Sequence, residues 1–252
     1  LTFGCSVHHL QAARDAGMKT VLTIHTPEPI CLRGTLLYQG SEVCDGRIDS
    51  RRCADCWLQW RGMPALAASV LAAMPVSLGR QLRPFGRAGS ALAATAIAAD
   101  QLATLHTACR LADRVVVVCQ WLLDALLRNG IDGSRMVLSR QGITAAHAKR
   151  ERVARAANAP LKIGFLGRGD PVKGVAVLVD AVRSLPKEIP LQLQLHVVES
   201  NEVHARDYMH AVRQLAAQDA RIAVLPPLLP ANVPDFMSGL DLLAVPSRSE
   251  ER

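Results

Sequence analysis

A chain of 252 residues, half of them hydrophobic, carries enough apolar material for one large or two ordinary domains. Only 4% of the residues are aromatic, so the core must be Leu, Val and Ala packing. The formal net charge of +7 suits anionic partners, yet the basic residues are not interleaved with aromatics and no nucleic-acid module is recognisable, which excludes nucleic acid as the partner class.

The first predicted element is a helix, roughly Ser6 to Ala16, closed by Gly17. It carries His8 and His9, to which no role is assigned. Lys19 to Ile24 reads as a strand, and His25 stands at its carboxyl end, followed by Thr26-Pro27-Glu28-Pro29. A lone histidine is more often structural than catalytic. Its place at a strand end raises the functional reading.

Next comes a loop with four of the seven cysteines, Cys31, Cys44, Cys53 and Cys56, spaced C-x12-C-x8-C-x2-C. The remaining three, Cys5, Cys109 and Cys119, fall in helix or strand positions. The odd count argues against an oxidised secreted framework. Thiolates are soft ligands, and four in tetrahedral array close a structural zinc site. Three readings stay open: structural zinc on Cys31, Cys44, Cys53 and Cys56, reduced thiols without metal, or a disulfide pair. No base is placed by sequence to make any of them a nucleophile.

From Cys56 to Ala99 there is no acidic residue, while Arg61, Arg80, Arg83 and Arg87 are present. Met63 to Leu78 is mostly apolar, broken by Pro64 and Pro75, and too short to span a bilayer. It is read either as a helical hairpin packed on its own domain or as amphipathic helices on an anionic bilayer. Arg114 to Val118 and Met136 to Ser139 are strands flanking a helix, Trp121 to Asn129, that ends at Gly130. A basic, alanine-rich connector, His147 to Pro160, is expected to be a solvated linker.

Beyond it, strands Leu161 to Leu166, Leu191 to Val198, Arg221 to Leu225 and Asp241 to Val245 alternate with helices Val172 to Ser184, Val203 to Ala217 and Val233 to Ser238. Such alternation implies parallel sheets covered on both faces, with ligands at the carboxyl ends of the strands. In Leu161–Leu178, LKIGFLGRGDPVKGVAVL, a buried strand leads through Gly167, Arg168 and Gly169 to Lys173 and a helix start. The glycines are expected to turn the chain and bring backbone near a ligand. Arg168 and Lys173 would bracket helix N–H groups that already favour an anion, making a diphosphate cradle. The plain reading is a solvent-facing Arg and Lys on an ordinary loop.

Taken with Asp241-Leu242-Leu243-Ala244-Val245-Pro246-Ser247-Arg248 and the pair Glu250, Glu251, this segment resembles the donor half of the GT-B glycosyltransferases, most closely family 4 of the retaining nucleotide-sugar transferases. Ala112 to Cys119 (ADRVVVVC) is similar to that family's ADRVVVVS strand, Gln141-Gly142-Ile143 stands where it has Asn-Gly-Val, and Thr23-Ile24-His25 matches its T-L-H strand end. Cysteine-rich loops after that strand end also occur in some relatives.

The resemblance implies an α/β fold of two Rossmann-like parallel-sheet domains (GT-B), both incomplete, since the chain starts at Leu1 rather than Met and stops at Arg252 as a motif begins. The expected division is an acceptor-side domain at 1–146, with the cysteine loop at 31–56 and a helical region at 57–111, a linker at 147–160, and a donor domain at 161–252. The implied reaction moves a sugar from a UDP- or GDP-sugar to a glycan or lipid-linked acceptor hydroxyl with retention, in cell-surface polysaccharide synthesis. Arg168, Lys173 and Gly167 would hold the diphosphate, so no catalytic divalent metal is required. His25 would contact the transferred sugar, although Thr26 stands where the family often has Asp. Glu251 is the preferred first glutamate of the family's E-x7-E element, with Glu250 the alternative. The implied location is cytoplasmic, with peripheral contact on the inner face of the membrane.

Other classes remain. A GT-B-fold nucleotide-sugar epimerase would share the fold without the E-x7-E element. A dinucleotide-binding enzyme would need a third glycine, but Gly167-Arg168-Gly169 is followed by Asp170-Pro171-Val172. A non-enzymatic zinc- or polyanion-binding module would use the cysteine loop and the basic middle.

Overall fold

The computed structural model describes residues 6–83, 86–142, 156, 158–199 and 203–248. The chain forms two compact units, Leu1–Gln141 and Gly142–Glu251. Most of the predicted 147–160 connector lies outside the described residues.

In the first unit, helix α1 (Val7–Asp15) ends in Ala16 and Gly17, whose φ of 73° is the left-handed conformation glycine tolerates. Strand β1 (Val21–Ile24) begins two residues later than expected. Before it, the Thr20 N–H donates to the Asp113 carboxylate at 2.9 Å, so a side chain closes that end of the ladder. A short antiparallel ribbon, β2 (Leu37–Tyr38) and β3 (Glu42–Val43), sits inside the cysteine loop and has no counterpart among the predicted elements.

Helices α2 (Ser50–Trp60), α3 (Ala65–Leu71), α4 (Val76–Leu82), α5 (Gly86–Leu92) and α6 (Ala94–Leu111) follow. Small residues let them approach closely. Ala54, Ala68, Ala72 and Ala94 are buried together with Leu58, and a Cβ on Gly79 would lie 3.3 Å from the Ala93 backbone. This is the low-aromatic packing the composition demands.

The apolar Met63 to Leu78 segment is not one antiparallel hairpin. Helices α3 and α4 meet at 101°, with α3 on α2 and α4 on α6. Among the described residues, no single helix is long and apolar enough to cross a membrane, and this bent pair is the one combination that passes by length and composition.

Strand β4 (Arg114–Val117), helix α7 (Gln120–Arg128) and strand β5 (Met136–Leu138) complete the unit. Strands β1, β4 and β5 form a parallel sheet in the order β1-β4-β5. Ile24, Val115, Val117, Leu122 and Leu126 fill the core beneath α7.

The second unit holds β6 (Leu161–Arg168), α8 (Val175–Ser184), β7 (Leu191–Val198), α9 (Val203–Ala216), β8 (Ile222–Leu225), α10 (Val233–Ser238) and β9 (Leu242–Leu243). All strand pairs are parallel, in the order β8-β7-β6-β9. Phe165, Val175, Val179, Leu193, Leu195, Met209 and Val212 make the core. Counted within the unit, the order is third, second, first, fourth. The direction of winding therefore reverses between β6 and β9, and in open α/β sheets the crevice beyond the carboxyl ends at that point is where ligands bind.

Strand β9 departs from expectation. It was expected to run from Asp241 to Val245 and to be buried; it pairs over only two residues, and Leu242, Leu243 and Val245 are exposed. Position explains this: among the described residues β9 is the outer strand of the sheet, with β6 on one side alone. Its register is set by Asp241, whose N–H donates to the Lys162 carbonyl and whose carboxylate accepts from the Lys162 N–H, each at 2.9 Å.

Candidate functional site

Two sequence motifs converge in the second unit, and their backbones do it. Strand β6 does not stop at Leu166; it continues through Gly167 to Arg168 alongside Val197 and Val198 of β7. Gly167 and Gly169 therefore do not turn the chain through a left-handed conformation, and neither has a positive φ. Their value is steric. A Cβ on Gly169 would stand 2.5 Å from Met209 Sδ and 2.7 Å from Val197 Cγ1, and one on Gly167 would meet the Phe165 ring at 3.0 Å.

The turn comes later. Pro171–Lys173 forms one 3-10 turn, Gly174 adopts φ 69°, and α8 starts at Val175 rather than at Val172. Lys173 thus stands just ahead of the helix.

Gly174 is also where the second motif lands. The Pro246 carbonyl oxygen would be 2.1 Å from a Cβ at position 174. No side chain can occupy that space, and the backbone angle independently favours glycine. Two residues on, the Arg248 N–H donates to the Val172 carbonyl at 2.8 Å. The segment after β9 is thereby laid over the turn after β6, at the reversal point of the sheet.

The amides of this turn are not all waiting for a ligand, contrary to the simple cradle. Asp170 Oδ1 accepts from the N–H groups of Val172 (3.0 Å) and Lys173 (3.3 Å). The Ala176 N–H donates to the Tyr208 hydroxyl at 2.9 Å. Burial, then the nearby Asp170 carboxylate, raises the pKa of that hydroxyl. Arg168 Nη2 lies 3.2 Å from Asp170 Oδ2, with the arginine side chain 70% exposed. An incoming anion would therefore rely on side-chain cations more than on unclaimed amides.

Glu250 and Glu251 lie outside the described residues.

In the first unit, His25 follows β1 and Gln141 follows β5, so both stand beyond the carboxyl edge of the three-stranded sheet. Gln141 Nε2 is 3.0 Å from His25 Nδ1. Both are exposed. Between them in the sheet, β4 leads to Cys119, which occupies the N-cap of α7 without a side-chain hydrogen bond. Serine, usual at that position in the resembling family, is a good N-cap acceptor and cysteine is not.

The cysteine loop brings its four cysteines together without forming a tetrahedral cluster. Cys31, Cys44, Cys53 and Cys56 do line one pocket, together with Tyr38 and Arg52, and none is in a disulfide. Yet among the described residues no group of three Cys, His, Asp or Glu side chains is placed to hold a metal ion. Two of the sulfurs have other partners. Cys56 Sγ accepts from the Gln39 N–H at 3.3 Å and faces Arg33 Nη1 at 3.6 Å, while Cys44 turns to the Asp45 carboxylate at 3.7 Å. Burial pushes the Cys53 thiol up to about 11 and raises Cys44 as well. The Cys53 thiol is therefore protonated at neutral pH.

Two arginines of the acid-free stretch are compensated from outside it. Arg80 and Arg83 both pair with Asp100 of α6, at 2.7 and 3.2 Å. The large side chains that α3 exposes are apolar: Leu66 at 85% and Val70 at 72%, one turn apart, with Trp60 nearby in sequence and also exposed.

Asp55 is a residue the sequence reading passed over. It is buried on α2, and its carboxylate accepts from Gln39 Nε2 (3.2 Å), Gln59 Nε2 (2.8 Å) and Ser69 Oγ (3.0 Å). Its sequence signal was an acid on the inward face of an amphipathic helix.

No protein-family model matches the chain. Over 107 residues, 42% of the chain, it is 35% identical to the D-inositol 3-phosphate glycosyltransferase of Xylanimonas cellulosilytica, covering 25% of that relative. The chain thus spans about a quarter of the length of this curated relative. HepE of Anabaena in complex with UDP is similar in structure, with a TM-score of 0.52 and 16% identity over 97% of this chain and 57% of that one. Sucrose-phosphate synthase of Thermosynechococcus elongatus aligns with a TM-score of 0.50 and 16% identity, over 96% of this chain and 53% of that one. At these identities the likeness is one of fold: Rossmann-like parallel-sheet domains of the GT-B class.

Proposed function

We propose that the chain belongs to an enzyme that transfers a sugar from a nucleotide-diphosphate sugar to an acceptor hydroxyl with retention of anomeric configuration. One observation carries the reading. The turn after β6 and the segment after β9 are packed into contact at Gly174 and Pro246, at the reversal point of a parallel sheet. The partial likeness to an inositol-phosphate glycosyltransferase and the fold shared with a UDP-bound protein support the same class.

In this reading Arg168 and Lys173 hold the diphosphate. Fixed cations assist most where charge develops, and the diphosphate gains charge as the glycosidic bond breaks. With those cations in place, the leaving group needs no divalent metal. The Gly167 backbone would run close to the diphosphate. Glu251, or Glu250 in its place, would act on the transferred sugar from beyond the described segment. His25, oriented by Gln141, would be the residue of the first unit with a role toward that sugar. The donor would be a UDP- or GDP-sugar and the acceptor a glycan or lipid-linked glycan of the cell surface, handled on the cytoplasmic face of the membrane. Peripheral contact with that membrane would run through the exposed Leu66 and Val70 of α3.

Calorimetric titration of residues 1–252 with UDP and with GDP tests the donor site. Arg168→Ala and Lys173→Ala should each weaken binding by about 1.5–3 kcal/mol, the loss of one charge-assisted contact. Equal affinity in folded variants would remove the proposal.

A further inference from the structure

Resting on the donor-site reading, we infer that Asp170 is an internal competitor for the diphosphate: its carboxylate takes the contacts a phosphate would take and thereby sets donor affinity. The geometry is specific. One carboxylate oxygen accepts from two consecutive turn amides, Val172 and Lys173, and the other pairs with Arg168 at 3.2 Å. Backbone N–H groups at a turn together with a guanidinium are what an anionic ligand uses. Here an anion covalently part of the chain already engages both, with its side chain only 22% exposed against 70% for Arg168.

The two halves of the arrangement differ in what it takes to release them. The amide contacts cap the 3-10 turn and help hold Lys173 and Gly174 in place, and they need an oxygen acceptor rather than a charge. The Arg168 contact is an ion pair exposed on its arginine side, which makes it weak and easily exchanged. A diphosphate carries more charge than a carboxylate, so it would draw Arg168 away while Asp170 keeps its cap. Asp170 would then remain beside the bound anion as a like charge that weakens binding. A site built this way holds its product nucleotide less tightly than its cations alone would, which favours release after transfer.

Asp170→Asn separates these roles, because asparagine caps a turn about as well as aspartate and lacks the charge. The variant should melt at the wild-type temperature and bind UDP roughly two- to five-fold more tightly, the scale of one exposed ion pair. In an Arg168→Ala background the same change should give less than that gain, because the pair being broken is already absent. Unchanged or weaker UDP binding by Asp170→Asn, or a gain of full size in the Arg168→Ala background, would overturn the inference and leave the donor site itself intact. A wild-type chain that binds neither UDP nor GDP would remove the donor-site reading, and this inference with it.

Discussion

The turn around Gly174 and the cysteine pocket were both legible as motifs, and they differ in what brings their parts together. The turn is made by backbone: a parallel strand, a 3-10 turn, a left-handed glycine and a second strand end that packs on it. The cysteine pocket is a matter of side-chain direction. Its four cysteines line one hollow, but Cys56 Sγ is engaged by the Gln39 amide and Cys44 Sγ by Asp45. Spacing along a chain predicts where backbone goes far better than where thiols point.

The comparison can be broken most forcefully at Gly174. Gly174→Val puts a branched side chain into a left-handed φ and against the Pro246 carbonyl. It should cost roughly 2–4 kcal/mol in urea unfolding and abolish UDP binding. Near-normal stability would mean that the two motifs are not in contact.

Asp219 should control the acid limit of the second unit. Arg221, then Lys187, holds its carboxyl well below the usual carboxylate range, with the Asp219 side chain 2% exposed. A depressed folded-state pKa means the stabilisation is present above about pH 4, the ordinary aspartate value, and is lost as pH falls below it. The urea midpoint should drop between about pH 4 and pH 2 in wild type. Asp219→Asn should start lower at neutral pH and show a flatter acid slope. Parallel slopes would contradict this.

The outer face of α3 should be nearly neutral for folding. Leu66→Asp with Val70→Asp should shift stability by only about 0.5 kcal/mol per site. If α3 meets the bilayer, the double variant should no longer sediment with anionic vesicles. Retained sedimentation would move the contact elsewhere.

The smallest effect is expected in the cysteine pocket. Purified protein should carry clearly less than one zinc per chain, and Cys53 should alkylate slowly at pH 7.5, because its thiol lies near 11 and is protonated there. One zinc per chain, lost in Cys53→Ser, would show the pocket closing on metal and would erase the contrast.

Much of the fold was visible in the sequence because periodicity and glycine punctuation are local. Strand Leu191 to Val198 and helix Val233 to Ser238 stand where the pattern put them, and Gly17 and Gly130 end their helices with φ of 73° and 77°. The ribbon inside the cysteine loop was not legible. It needs Leu36 and Gln39 at φ 52° and 50°, conformations held by tertiary contacts such as Gln39 with Cys56 and Asp55 rather than by residue type. The Arg80 and Arg83 pairing was missed because their acid, Asp100, lies two helices later in the chain. At the candidate site, the motif pointed to the segment from Arg168 to Gly174, although Gly167 and Gly169 do not make the expected turn. The use of Asp170 and Tyr208 was not legible, since nothing in their spacing says which amides they will hold.

The most direct test of the central claim is an amide NMR titration of residues 1–252 with UDP. The amides of 168–174 and those of 244–248 should shift together along one saturating curve, while those lining the cysteine pocket stay still. Shifts confined to one of the two segments, or centred on the cysteine loop, would contradict the account.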